Sequence, residues 1–141
     1  MIFNTTYTNK EYNRESNKLL GRSFSFIDKI KMSGVGSKRL AVADKSEKLD
    51  IHPTKSQSMH FANIELRPKG IIIHFAERLE RFSWCIPYYR LVIYDTALFS
   101  IHAEGNFIKF LKNKYYEENK KFLHKMIHLK NKHQEQYHEL H

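Results

Sequence analysis

The stretch ERFSWCIPYYRLVIYD, residues 80–95, constrains the fold most strongly, because a proline stands where its apolar density is highest. Phe82, Trp84 and Ile86 point one way, as the inward residues of a strand do. Proline has no N–H to give a ladder, so a strand interior does not accommodate it. After Pro87 the alternation restarts, with Leu91 and Ile93 on one face and Val92 and Tyr94 on the other. Pro87 therefore separates two strands, and PYYR is the link or sharp bend between them, with φ preset by the ring.

The flanking sequence repeats the theme. In HFANIELRPKGIIIHFAE, Ala62, Ile64 and Leu66 alternate with Phe61, Asn63, Glu65 and Arg67, and Ile71, Ile73 and Phe75 alternate with Ile72 and His74. RPKG between them suits a tight turn, so the segment predicts a β-hairpin. In ALFSIHAEGNFIKFL, Phe99, Ile101 and Ala103 precede a turn at EGN, and Ile108 and Phe110 follow it. Gly105 and Asn106 both tolerate the positive φ of twisted hairpin turns. Six strands over about residues 60–111, joined by short links, predict an antiparallel meander.

The last third predicts one helix over about 114–133. Phe122, Met126 and Leu129 lie on one face, with Tyr116, Leu123 and Ile127 beside them. Glu117 and Glu118 near its start and Lys125, Lys130 and Lys132 near its end complement the helix dipole. The apolar stripe covers an open sheet, and it fades beyond His133, so 134–141 reads as a frayed tail. Residues 1–58 carry weaker signals. Only LLGRSFSFIDKIKM, residues 19–32, has enough apolar residues to pack, as a short helix or as a strand. SGVGSKRLAVADKSEKLDIHPTKSQS reads as a flexible linker rich in serine, lysine and glycine.

Charge bounds the partners. Residues 1–60 hold 11 basic and 6 acidic side chains, or +5; residues 61–111 hold 6 and 5, or +1; residues 112–141 hold 7 and 4, or +3. The middle segment, least charged and rich in Ile, Phe and Tyr, is the expected core. The total of +9 suits anionic partners such as acidic lipid or nucleic acid. The cations are scattered, however, and arginines do not interleave with aromatics as in nucleic-acid modules. Cys85 is the single cysteine, so no internal disulfide forms, and its apolar setting predicts a buried, inert thiol. The polar start MIFNTTYTNKEYNRE and the short apolar runs predict neither a secretory signal nor a membrane span, hence a cytoplasmic protein.

Six short antiparallel strands followed by one amphipathic helix resemble the pleckstrin-homology-like (PH-like) domain, in the form seen in small bacterial proteins. IPYYRL (Ile86–Leu91), FSIHAEGNFIKF and KKFLHKMIHL carry the resemblance, over about residues 60–130. It implies an α+β, mainly β fold: a six- to seven-stranded antiparallel barrel or meander, residues 59–133, capped by the C-terminal helix. It also implies binding of lipid, peptide or protein. Two departures weaken lipid. Phosphoinositide-binding members carry a basic loop between the first two strands, where this chain has only Arg67 and Lys69. Eukaryotic members usually have a tryptophan in the closing helix, whereas Trp84 is on a strand.

Chemical sites find little support. His124 and His128 stand four apart, but no HExxH glutamate accompanies them, and solvated helix histidines are the better reading, with no metal or cofactor. Ser83 and Cys85 lack the glycine-flanked elbow of a catalytic nucleophile, and SGVGSK is not a phosphate loop. Tyr88 and Tyr89 are adjacent in a link, so at least one reaches the surface. The sequence thus predicts a non-enzymatic module for a protein or peptide partner, with acidic lipid second and nucleic acid third. Its candidate contacts are Arg67, Lys69, Tyr88, Tyr89 and Arg90.

Overall fold

The structure, a computed structural model, describes residues 1–50 and 60–140, the last four of these by backbone alone. Its strands are β1 (Ile2–Asn4), β2 (Leu40–Lys45), β3 (His60–Arg67), β4 (Gly70–Glu77), β5 (Glu80–Pro87), β6 (Val92–Asp95), β7 (Phe99–Ala103) and β8 (Asn106–Phe110). Its helices are α1 (Lys10–Leu20), α2 (Phe26–Lys31), α3 (Lys114–Glu118) and α4 (Lys120–Leu140), with one 3-10 turn at Tyr88–Arg90. The fold is α+β, mainly an antiparallel sheet with a C-terminal helix.

Pro87 is the corner that its chemistry requires. It ends β5 with φ −69° and ψ 150°, and the 3-10 turn carries the chain to β6. Both expected hairpins form, pairing Ile64 with Ile73 and Ile101 with Ile108. In the second turn the positive φ values fall on Glu104 and Gly105, one residue earlier than expected, and Asn106 already belongs to β8.

The expectation of a six- to seven-stranded barrel is corrected. Eight strands run in the order β1-β5-β4-β3-β2-β8-β7-β6, and the two edge strands do not pair. The sheet curves around a single core holding Ile64, Ile73, Trp84, Ile101, Ile108, Leu123 and Met126, but it stays open. The physical reason lies at the ends: β1 occupies the free side of β5, and the turn after Pro87 leads the chain away before β6 begins. Lys45 of β2 and Glu77 of β4 form a buried ion pair beside the start of β3.

The amino-terminal reading is also corrected. LAVADK, expected in a linker, is β2, paired on one side with β3 and on the other with β8. The segment 19–32, expected to hold a short helix or a strand, does hold the short helix α2, after the end of α1 and a connection. The remainder of the expected linker, 51–58, lies outside the described residues. At the other end, the expected single helix 114–133 breaks at Asn119, and α4 continues to Leu140 through the tail expected to fray. Asn119 is buried and satisfied by three partners: its amide donates to the carbonyls of Arg39 (3.1 Å) and Tyr115 (2.8 Å) and accepts from the Lys38 N–H (2.9 Å). The break thereby ties the helices to the start of β2.

Candidate functional site

The helix α1 packs on the outer face of β4 and β5. Asn9 caps its start by accepting from the Tyr12 N–H at 2.9 Å, and Gly21 ends it at φ 80°. Leu20 packs with Ile72 and Cys85 in a second apolar cluster, joined by Phe3, Tyr12 and Leu19. Burial there pushes the Cys85 thiol up to about 11, so it stays protonated and inert, as expected. Gly70 faces Leu20 across this contact and has no room for a Cβ.

Arg67, expected at the surface, is only 8% exposed. Its guanidinium donates to the Gly21 carbonyl (2.9 Å), to Asn17 (3.2 Å) and to Glu65. A cation at the carbonyl end of a helix is favourable, and here it anchors α1 to the sheet. Arg67 is therefore corrected from partner contact to internal anchor. Tyr88 is likewise interior, with its hydroxyl on the Arg67 carbonyl and its ring beside His133. Lys69, Tyr89 and Arg90 are exposed; Arg90 pairs with Glu104 and lies over the Tyr89 ring. The five predicted residues do not form one site.

Sheet register does align a polar chain that the sequence reading missed. Asn63 stands opposite His74, and His74 opposite Ser83. Glu65 lies 3.0 Å from His74 Nε2, Ser83 Oγ lies 2.8 Å from His74 Nδ1, and Thr5 Oγ1 lies 2.9 Å from Ser83 Oγ. Burial by itself would raise the Glu65 carboxyl, but the hydrogen bonds and charges of His74 and Arg67 outweigh it and hold the group at about 2. The carboxylate accepts from His74 Nε2–H, and Ser83 Oγ is hydrogen-bonded to Nδ1 on the other side of the ring. A serine, a histidine and an acid are in line, and Ser83 is buried. The chain fixes the side chains of three neighbouring strands and the segment after β1. The signal for it was present: the turn at Arg78–Leu79 sets the register that puts His74 beside Ser83.

A groove of about 400 Å³ runs between β6 and α4. Leu91 and Ile93 from the strand side and Ile127 from the helix supply its apolar wall, and Asp95, Lys130 and Gln134 its polar rim. β6 is an edge strand with β7 on one side only. Val92 and Tyr94 alternate outward, and Tyr89 stands at the groove's end. His124 and His128 are exposed on α4. Among the described residues no helix is long and apolar enough to cross a membrane.

No protein-family model, curated protein or solved structure matches the chain.

Proposed function

We propose that this chain is a non-enzymatic binding module that takes an extended protein or peptide segment along β6, in the groove beside α4. One observation carries the reading: the unpaired edge of β6 borders an apolar-walled groove. An extended segment added there gains main-chain hydrogen bonds from the edge, while alternate side chains enter the groove against Ile93 and Ile127. The element order, seven consecutive antiparallel strands β2–β8 and then a helix, supports the PH-like resemblance. The test is selection of binding peptides from a random display library, with chemical-shift mapping of the selected peptide on the full chain. Shifts along 89–95 and 127–134 support the reading, and a library that yields no peptide perturbing those residues defeats it.

A second reading, contact with an acidic membrane surface, draws on α2. Phe26, Ile27 and Ile30 are exposed on this one helix, with Lys29 and Lys31 between and beside them. Apolar side chains ringed by cations suit an anionic lipid interface. Sedimentation with phosphatidylserine-containing vesicles tests it; protein left in the supernatant at low salt ends the idea.

A further inference from the structure

The outer sheet face beyond α1 carries a second concavity, of about 530 Å³, lined by Thr5, Tyr12, Arg39, Phe61, His74 and Arg81 among others. We propose that it is a binding site for a small phosphomonoester carried on an aromatic body. The register fixes the layout. Phe61 of β3, Ala76 of β4, Arg81 of β5 and Thr5 fall in one row across the sheet. The Arg39 guanidinium lies 4.6 Å from the centre of the Phe61 ring and 4.9 Å from that of Tyr115, whose hydroxyl accepts from it at 3.4 Å, and Arg39 and Arg81 both line the concavity. Two strand spacings separate Phe61 from Arg81, about 10 Å at the backbone. The methyl of Ala76 leaves that interval open.

Charge selects the ligand. Among the described residues no carboxylate lines the concavity and neither arginine has an acidic partner. Glu65, two outward rows away, is already held by Arg67 and His74. Both ring nitrogens of His74 are engaged, so His74 is a fixed wall and the ligand's donors are the two guanidinium forks. Two guanidinium groups on one concavity suit a tetrahedral dianion, whose three free oxygens offer acceptors to both at once. Phe61 and the half-buried Tyr12 offer apolar surface to the remainder of the ligand. The volume lies within the ordinary range for small-molecule sites.

Titration of the full chain with phenyl phosphate, followed by amide chemical shifts at low salt, tests the proposal. The expected result is saturable binding that shifts Phe61, Ala76 and Arg81 and weakens about tenfold in Arg81→Ala, the scale of one charge-assisted contact. Arg81 is exposed, and an otherwise unchanged spectrum shows that the variant folds. Arg90→Ala, which removes a guanidinium paired with Glu104, leaves the affinity unchanged. Phenol produces no saturable shift, and inorganic phosphate binds more weakly than phenyl phosphate. Equal weakening by Arg90→Ala, full affinity in Arg81→Ala, or no saturable shift overturns the site. Inorganic phosphate binding as tightly as phenyl phosphate overturns the aromatic part of the assignment.

Discussion

The Tyr88 hydroxyl donates to the Arg67 backbone carbonyl at 3.1 Å, joining the corner after Pro87 to the end of β3. The Tyr88 N–H also donates to the Lys69 carbonyl at 2.9 Å, so the corner is held to the first hairpin's turn from two directions. Burial pushes the Tyr88 phenol well above its usual range, so it remains a donor throughout neutral pH. Tyr88→Phe removes one buried hydrogen bond. The expected loss is about 1–2 kcal/mol, measured by chemical denaturation, with the sheet retained.

Gly70 admits no side chain. A Cβ there would meet the Pro87 Cα at 2.8 Å and the Leu20 side chain closer still. Backbone of the paired strand cannot yield as a side-chain tip does. Gly70→Ala is expected to cost about 2–4 kcal/mol. Adding Leu20→Ala restores part of the loss if the helix contact is responsible, which a double-mutant cycle reads directly.

Acid weakens the anchor between α1 and the sheet. Glu65 sits at about 2 in the folded chain, below its ordinary 4.5, so its stabilisation is complete above that ordinary value and is lost as pH falls towards 2. The group is partly exposed, and solvent screening reduces the contribution to about 1–2 kcal/mol. Denaturant midpoints measured from pH 5 to 2.5 should fall less steeply in Glu65→Gln than in the parent chain.

The second hairpin turn can be improved. Glu104 has φ 51°, followed by Gly105 at φ 82°, which is the pattern that Asn-Gly satisfies best. Glu104→Asn relieves left-handed strain and forfeits an exposed pair with Arg90 that contributes little. A net gain of about 0.5 kcal/mol is expected in the midpoint of thermal unfolding.

The proposed peptide groove makes a mutational prediction separate from stability. Val92 is 45% exposed on the edge strand, and Ile127 lines the helix side. Val92→Asp and Ile127→Asp are each expected to weaken a β6-directed peptide about tenfold or more by calorimetry, since an unpaired charge replaces apolar contact. Unfolding midpoints check that Val92→Asp acts on binding alone.

The alternation of residues 60–110, broken at Pro87, determined four of the seven strand pairings, β3–β4, β4–β5, β6–β7 and β7–β8, without a partner being known. Each apolar residue there has one parity, and a one-residue slip would turn the core to water. The parity of Phe75, Phe82, Trp84, Ile101 and Ile108, all buried, was legible for that reason. The helix stripe of Leu123 and Met126 was legible in the same way.

Tertiary structure alone decided the rest. LAVADK lacks the apolar–polar alternation that would mark it, and it is a strand because β3 and β8 both offer it ladders. The three residues of β1 are too short for any period. Ile72 and Cys85 did carry a hint of α1, since apolar residues on both faces imply that both faces are covered. No local rule says that Arg67 turns inward to α1 while Arg39 and Arg81 remain without acidic partners. A long side chain's direction depends on which helix ends arrive beside it, and that is settled by contacts between segments far apart in the chain.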